Sequence, residues 1–195
     1  LGKGVHAFPL DVTDEAAVAK TFHAIETKLG PIDLVIAGAG TFTPNNALDM
    51  RVSLFKQMYE VNYLGVIHVL SVVLPVFRAR KAGHVSWIAS VAGYRGLPGA
   101  AAYGATKAAL INLAESLKPQ LDTEGVKISV INPGFVRTPM TEQNKFPMPF
   151  LMEPADAARA TIVGLAKNKF EVAYPNRFVA ILKIGRLLPY RVFFW

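Results

Sequence analysis

Short apolar runs alternate along this chain with longer stretches in which apolar side chains recur every three or four positions. The short runs, which predict strands, lie at 5–10, 32–37, 84–90, 126–132 and 169–174. The longer stretches, which predict helices, lie at 14–29, 51–81, 100–123 and 153–166. A period of 3.6 residues is typical of a helix with one buried face, whereas a short continuous apolar run is typical of a buried strand. The pattern therefore predicts alternating strands and helices.

Residues with known helix-end preferences mark some of the boundaries. Thr13 is the predicted N-cap of the first helix, because its hydroxyl can accept a bond from a free backbone N–H. Gly30 and Pro31 are predicted to end that helix. The second helix is expected to bend near Asn62 and again near Pro75, since proline removes a backbone donor.

Two predicted strands are almost continuously apolar, at 34–36 and 128–131. Such strands are typical of parallel sheets that helices cover on both faces. The sequence therefore predicts an α/β fold, a Rossmann-like doubly wound parallel sheet in three α/β/α layers. Ligands of such sheets bind at the carboxyl ends of the strands. Gly38-Ala39-Gly40, Ser90 and Pro133-Gly134 each follow a predicted strand, and we expect them to line one crevice.

Composition narrows the classes of function. A length of 195 residues and an apolar content of 52% suit one globular domain. The chain has no cysteine, which excludes disulfides and thiolate metal sites and agrees with a cytoplasmic location. Its four histidines lack ligand spacing, so no metal site is predicted. Of the net charge of +7, residues 165–195 carry +5. The rest is near neutral, so no nucleic-acid binding is predicted.

The most informative chemistry lies in the predicted helix 100–123. Tyr103 and Lys107 are four residues apart, so their side chains share one face of a helix. An ammonium beside a phenol favours the phenolate, and we therefore expect Lys107 to lower the pKa of Tyr103. A phenol shifted in this way would serve as a proton donor and acceptor near neutral pH. A solvated pair at the same spacing is the alternative.

The neighbours of this pair strengthen the interpretation. Ser90 precedes Tyr103 by 13 residues, Gly93 lies between them, and Asn62 stands before the third predicted strand. Pro133-Gly134 ends the next predicted strand. In this order and spacing the set resembles the short-chain dehydrogenase/reductase family, over about residues 5–175. The resemblance implies an oxidoreductase that interconverts an alcohol and a carbonyl.

The resemblance also implies roles for individual residues. Tyr103 would be the general acid and base, and Lys107 would lower its pKa and bind the nicotinamide ribose. Ser90 would hydrogen-bond the substrate oxygen, and Asn62 would hold a water that relays protons to Lys107. The cofactor would be NADP or NAD. Its expected contacts are Asp11, Val12, Ala37, Gly38, Ala39, Gly40, Tyr103, Lys107, Pro133, Gly134, Val136 and Thr138.

The chain departs from the family pattern in two places. Ala37-Gly38-Ala39-Gly40 replaces the usual Asn-Asn-Ala-Gly, so a structural hydrogen bond must be replaced. A glycine-rich opening loop is missing, since Gly2-Lys3-Gly4 has the wrong spacing and no preceding strand. The fold is therefore expected to be N-terminally incomplete, and the residue that selects NADP or NAD is not readable. Strand 5–10 would then detach, move beside 32–37, or pair with another chain.

Two further segments affect the functional interpretation. In the dinucleotide-binding domain, assigned to 1–176, residues 139–153 resemble the family's mobile substrate lid, and their apolar character indicates a small apolar substrate. Packing of this segment on the core is the alternative. Residues 177–195 form a basic, apolar tail that is a poor transmembrane helix, and in which Phe178, Ile181, Leu182 and Leu188 are expected to share a face. Packing of the tail against the domain or a second subunit, or an interfacial contact with a membrane, would follow.

The sequence thus predicts an NAD(P)-dependent oxidoreductase that acts on CH–OH groups with Tyr103 as general acid and base. Helices 51–81 and 100–123 are apolar on more than one face, and the resemblance implies that they pair with a second copy in a homodimer or homotetramer. Two alternatives stay open. One is a non-catalytic binding or regulatory module derived from the family. The other is a protein that acts at a membrane surface through its tail.

Overall fold

A computed structural model describes residues 4–142, 144 and 146–194, so Leu1, Gly2, Lys3 and parts of the predicted lid and tail lie outside the described residues. Four strands form the sheet: β1 Leu34–Ala37, β2 His84–Ile88, β3 Lys127–Pro133 and β4 Glu171–Tyr174. The helices are α1 Glu15–Leu29, α2 Val52–Tyr59, α3 Gly65–Ala79, α4 Ala101–Thr123, α5 Pro139–Glu142, α6 Pro154–Ala166, α7 Asn176–Leu187 and α8 Tyr190–Phe193.

The sheet has the order β1-β2-β3-β4, and every neighbouring pair is parallel. Ala37 aligns with Trp87, Ile88 with Ile131, and Pro133 with Tyr174. The carboxyl ends of the strands therefore meet at one edge of the sheet. The predicted parallel α/β architecture is confirmed, with strand ends that differ from the predicted ones by two residues or fewer.

Helices cover both faces of this sheet. On one face, side chains of α1, α3, α4 and α7 pack with alternate residues of β2 and β3 into the main core, where Trp87 is fully buried. Its indole Nε1 donates to the carbonyl of Leu110 at 3.0 Å, which satisfies the one polar atom of that side chain. On the other face, α6 covers Ile131 and Val172. The three-layer arrangement follows from this alternation.

Local details differ from the predicted helix boundaries for physical reasons. Asp14, rather than Thr13, is the N-cap of α1, and its carboxylate accepts from the N–H of Ala17 at 2.9 Å. The long second helix is interrupted at Glu60–Leu64 by a π-helical turn that contains Asn62, where a bend was predicted. Helix α3 continues through Pro75, so the second predicted bend does not end the helix.

The predicted strand 5–10 is wrong. These residues form no strand in the structure and are largely exposed, Val5 to 54% and Leu10 to 40%. A strand needs a hydrogen-bonding neighbour, and within the described residues this segment has none. Of the three expected outcomes, the structure therefore shows the first, in which residues 5–10 are not part of the sheet. Strand β1 is consequently an edge strand. Leu34 and Ile36 lie on the same face of the sheet as α6, but they are exposed.

The tail forms α7 and α8, and α7 packs on the domain through Phe178 and Val179. Phe178, Ile181 and Leu182 follow one another at helical spacing on α7, as expected, whereas Leu188 lies beyond the end of the helix, and burial divides the set. Phe178 is buried and Leu182 packs against the main core, whereas Ile181 and Leu188 are exposed. The helix is therefore apolar on two sides, one facing the core and one facing outward.

In the described part of the chain, one helical stretch, Val52–Ala79, is long and apolar enough by length and composition to cross a membrane. The core helix of a globular protein passes the same test. This stretch supplies Leu70, Val73 and Phe77 to the main core, so packing accounts for part of its apolar character.

Candidate active site

Tyr103 and Lys107 lie one turn apart on α4, close to its amino-terminal end. The ammonium Nζ of Lys107 is 5.4 Å from the centre of the Tyr103 ring, and it donates to the carbonyl of Ile88 at 2.8 Å. Ile88 is the last residue of β2, so this bond ties the buried lysine to the carboxyl end of the sheet. The predicted shared helix face is confirmed.

Ser90 follows β2 and caps a 3₁₀ turn, Val91–Gly93. Its Oγ accepts from the N–H of Ala92 at 3.1 Å, and its longer contact to the carbonyl of Pro133 measures 3.5 Å. Because that second contact is at the limit for a hydrogen bond, the hydroxyl proton of Ser90 is available to another acceptor. Ser90 is thus an oriented donor at the end of β2.

Two glycines allow the turn after Ser90 to lie directly on α4. A Cβ atom at Gly93 would lie 2.7 Å from the backbone carbon of Lys107 and 2.8 Å from its oxygen. On the opposite side of the contact, a Cβ at Gly104 would lie 3.2 Å from the carbonyl oxygen of Ala92. The close approach sets the position of Ser90 relative to Tyr103.

Asn62 is fully buried in the π-helical turn and joins two other segments. Its Oδ1 accepts from the N–H of Thr41 at 2.7 Å, and its Nδ2 donates to the carbonyl of Thr41 at 2.9 Å. The same Nδ2 also donates to Oγ1 of Thr106, on α4, at 3.2 Å. The loop after β1 is thereby fastened to both the π-helical turn and α4. Turns of this type are frequent at functional sites.

The expected lowering of the Tyr103 pKa is wrong for this site. Burial raises the pKa of Tyr103 above its ordinary value, because the phenolate loses its hydration, and a hydrogen bond with Ser90 offsets only part of the effect. Burial also lowers the pKa of Lys107 to about 8, since its ammonium is desolvated as well. The attraction between the two groups is visible in their spacing along the sequence, whereas the desolvation of both depends on the fold.

The strand ends leave room beside the buried lysine. A Cβ at Gly40 would lie 3.4 Å from Oδ1 of Asn62 and 3.7 Å from Nζ of Lys107, so these two polar atoms border the same space. Gly38 lies against the side chain of Ile88. Backbone without side chains can be approached closely by a bound ring or ribose. The residues present therefore fit a nicotinamide nucleotide at Gly38–Gly40.

The predicted contacts after β3 are also near the sheet edge. The N–H of Gly134 donates to the carbonyl of Tyr174 at 2.7 Å, and a Cβ there would lie 2.9 Å from Phe178. Val136 pairs with Met152 across the predicted lid. Thr138 is held by its N–H, which donates to Oγ1 of Thr141 at 3.0 Å.

Asp11 and Val12 precede α1 rather than following a strand. The carboxylate of Asp11 accepts from both the N–H and the hydroxyl of Thr13, and these two hydrogen bonds lower its pKa. Val12 packs against Gly65 and borders an apolar cavity of about 290 Å³ that Gly38 and Ala39 also line. The structure thus brings Val12 towards the loop after β1 and leaves Asp11 exposed.

Sequence reasoning missed three residues that hold the site together. Thr106 accepts from Asn62 and donates to the carbonyl of Tyr103 at 2.8 Å, and the ring of Phe42 stands edge-on to that of Tyr103 at 5.1 Å. Thr41 is the backbone partner of Asn62. The position of Thr106 beside Lys107 could have pointed to a buried hydroxyl, but no sequence pattern marked Thr41 or Phe42.

A half-buried carboxylate lies behind the turn that follows Ser90. Oε1 of Glu171 accepts from the Tyr94 hydroxyl at 2.5 Å and from Nδ2 of Asn132 at 2.9 Å, while Oε2 pairs with Lys183. Burial opposes ionisation of Glu171, but the bonds from Lys183, Tyr94 and Asn132 outweigh it and lower its pKa. This group links the turn, the sheet and α7.

The predicted lid is partly apolar and contacts α7. It contains the short helix α5, and its Phe146 and Phe150 extend an aromatic cluster. Phe135 stacks on Phe178 at 5.5 Å, with Phe146 edge-on to Phe135 at 5.9 Å and Phe150 at 6.0 Å from Phe178. An apolar wall therefore stands beside the end of β3.

Comparisons with known proteins agree with this geometry. Residues 1–147 match the family described as short chain dehydrogenase. An uncharacterized oxidoreductase of Myxococcus xanthus is 38% identical over 192 residues, which cover 98% of this chain and 76% of the relative. The 17-beta-hydroxysteroid dehydrogenase 13 of Rattus norvegicus is 30% identical over 195 residues, 98% of this chain and 65% of the relative.

Among solved structures, a short chain dehydrogenase/reductase from Burkholderia phymatum in complex with NAD superposes with a TM-score of 0.81. It is 23% identical, and the match covers 90% of this chain and 72% of that one, so it establishes the fold. The family match over three quarters of the chain and the Myxococcus relative establish the family. The chain belongs to the short-chain dehydrogenase/reductase family of oxidoreductases.

Proposed function

We propose that this protein interconverts an alcohol and a carbonyl on a small apolar substrate, with NADP or NAD as the cofactor. One observation carries the proposal. The hydroxyl of Ser90, the phenol of Tyr103 and the ammonium of Lys107 lie together at the carboxyl end of β2, and Lys107 is buried with its Nζ bonded to the sheet. Buried titratable groups with shifted pKa values that converge at a strand end are typical of a catalytic site.

Tyr103 transfers the proton in this mechanism. In the direction of reduction its phenol donates to the carbonyl oxygen of the substrate, and in oxidation its phenolate takes the proton back. Because burial raises the pKa of Tyr103, the phenol form dominates at neutral pH, which suits a proton donor. Ser90 donates a second hydrogen bond to the same oxygen and stabilises the charge that develops there.

Lys107 and Asn62 support the phenol. With a pKa of about 8, Lys107 is mostly protonated at neutral pH, and its positive charge beside the ring stabilises the phenolate formed in each turnover. Asn62 fixes the loop that borders Lys107, and we assign to it the water that relays protons to this lysine. Their joint position beside Gly40 supports both roles.

The nicotinamide supplies or accepts the hydride when it is bound. We assign its ribose to Tyr103 and Lys107, and its remaining contacts to the strand-end loops. Those contacts are Asp11, Val12, Ala37, Gly38, Ala39, Gly40, Pro133, Gly134, Val136 and Thr138. The absence of side chains at Gly38 and Gly40 supports close approach of a planar ring to the backbone.

The aromatic cluster supports an apolar substrate. Phe146 and Phe150 are about half exposed, and they extend the wall formed by Phe135 and Phe178. Apolar surface beside a polar reactive centre is typical of sites for apolar ligands. The rat relative is named for a hydroxysteroid, which is an apolar alcohol.

We further propose a homodimer or homotetramer that uses α2, α3 and α4. Leu74 and Val76 of α3 and Leu113 and Leu117 of α4 are only partly buried, which leaves apolar area for a partner. Light scattering at micromolar concentration should give a dimer or tetramer mass, and a stable monomer would contradict this assembly.

The catalytic proposal is tested by Tyr103→Phe, which removes the transferable proton and keeps the ring. Turnover of apolar ketones should fall by about 10²–10⁴-fold, the usual contribution of general acid–base catalysis. The affinity of Tyr103→Phe for the cofactor, measured by titration calorimetry, should stay close to that of the unmodified protein. Tyr59→Phe is the matched control, because it removes a phenol that is 37% exposed on a different helix, α2, and it should keep full activity. Equal turnover in the two variants would refute the assigned role of Tyr103.

A further inference from the structure

The outward face of the tail is unusual for a surface helix. Ile181, Ile184 and Leu187 recur every three residues along α7, so they fall on one side of it, and they are exposed to 55%, 63% and 84%. The opposite side of α7 is already buried against the core through Phe178 and Val179. A helix that is apolar on both sides has a second surface that the domain itself does not cover.

The short helix α8 extends this surface. Tyr190 is exposed to 72% and Phe194 to 75%, and their rings stack at 5.9 Å. Tyrosine and other amphipathic rings are enriched where protein meets the boundary between water and lipid. The outward face of the tail is therefore defined by Ile181, Ile184, Leu187, Tyr190 and Phe194.

Arg95, in the loop after β2, holds the tail in this position through hydrogen bonds. One guanidinium nitrogen of Arg95 donates to the carbonyls of Gly185, Arg186 and Leu188 at 3.2, 2.7 and 3.0 Å. All three carbonyls lie at the end of α7, where the last carbonyls of a helix lack intrahelical donors, and that of Gly185 also accepts from the N–H of Leu188. The same guanidinium lies 4.8 Å from the ring centre of Tyr190. The turn from α7 to α8 is thus held in place, and the apolar side chains are presented by an ordered structure.

The positive charge of the tail indicates which kind of surface its outward face would bind. Residues 176–194 contain four basic residues and no acidic one. Lys183 pairs with Glu171, while the side chains of Arg177, Arg186 and Arg191 are exposed beside the apolar ones. A second copy of this chain would bring like charges together on the same face. An anionic surface with an apolar layer beneath it matches both properties.

We propose that the outward face of the tail binds the surface of membranes that contain anionic phospholipids. Ile181, Ile184, Leu187, Tyr190 and Phe194 enter the boundary between headgroups and acyl chains, and Arg177, Arg186 and Arg191 pair with the lipid phosphates. Arg95 lies in the loop that follows Ser90, so the membrane would lie on the side of the molecule that holds the candidate active site. The proposal concerns binding and does not depend on catalysis.

Vesicle co-sedimentation of the full protein tests this binding. The unmodified protein should sediment with vesicles of phosphatidylcholine and phosphatidylserine in equal parts, and much less with phosphatidylcholine alone. The double variant Ile184→Glu, Leu187→Glu should lose at least about tenfold in affinity, because two apolar side chains no longer enter the lipid. Neutralising Arg186 or Arg191 to Gln should each reduce affinity for the anionic vesicles about fivefold.

The matched control is Ile162→Glu, Val163→Glu on α6. These residues are also exposed, to 66% and 47%, and the substitution adds the same charge. It should reduce binding far less than the tail variant. Equal binding by the two double variants, or no binding by the unmodified protein, would overturn the proposal. A dimer that becomes a monomer in the tail variant alone would also overturn it, because the face would then be an interface between copies.

Discussion

A single methyl group at Gly93 should disturb the site, because the turn after Ser90 lies directly on α4 there. A Cβ would meet three backbone atoms of Lys107 and Ala108 at 2.7–2.8 Å. Ordinary contacts begin at 3.4 Å, so the turn and the helix must separate by about 0.7 Å. None of these three atoms belongs to a side chain that could rotate away.

The size of the effect follows from this separation. Overpacking of a well-packed contact destabilises a protein by about 1–3 kcal/mol. A displacement approaching 1 Å between reacting groups can lower the rate by about 10²-fold, and we expect Gly93→Ala to lower kcat by about 10–100-fold. The change would act through the distance between Ser90 and Tyr103 and leave both side chains chemically intact.

Urea denaturation and steady-state kinetics together measure both effects. Gly96→Ala is the matched control, because it lies in the same loop and its Cβ would meet no atom within 4 Å. It should keep the stability and activity of the unmodified protein. If Gly93→Ala stayed within about 0.5 kcal/mol of Gly96→Ala and retained full kcat, the packing argument for the position of Ser90 would be refuted.

Two further predictions concern buried polar groups. Between pH 8 and 10.5 the folded protein has lost the proton of Lys107, while the unfolded chain keeps it. The free energy of unfolding in urea should therefore rise by about 3 kcal/mol across this range because of this group. Lys107→Met should abolish that increase. An unchanged pH dependence in the variant would show that Lys107 titrates normally. Asn62→Ala should lower stability by about 1–3 kcal/mol, because the partly buried backbone groups of Thr41 lose their partners. An unchanged stability would exclude this role of Asn62.

The order of strands and helices could be predicted because it depends on local patterns. Continuous apolar runs at 34–36 and 128–131 and helix punctuation such as Gly30 placed most elements within two residues. The strand predicted at 5–10 is not formed. Its apolar residues match the pattern of a strand, but a strand also needs a neighbouring strand to which it can hydrogen-bond. The two apolar sides of α7 were not predicted for a related reason, because one period of apolar residues does not show which side the domain covers.

The same distinction applies to the site, where some residues could be predicted from local spacing and others could not. Tyr103, Lys107 and Ser90 are recognisable because their spacing on α4 and at a strand end is a local property. The hydrogen bonds of Asn62 to Thr41 and Thr106 join positions far apart in sequence, and no pattern contains them. The direction of the Tyr103 pKa shift depended on burial, which is a property of the whole fold.

Transfer of a labelled hydride tests the central claim most directly. The full protein would be incubated with an apolar ketone and a nicotinamide cofactor that carries deuterium at the transferable position. The account predicts an alcohol that contains one deuterium at the carbinol carbon, formed by the unmodified protein and by Tyr59→Phe, and reduced by about 10²–10⁴-fold in Tyr103→Phe. Cofactor binding without deuterium transfer, across a panel of apolar ketones, would contradict the account and leave a non-catalytic binding module in its place.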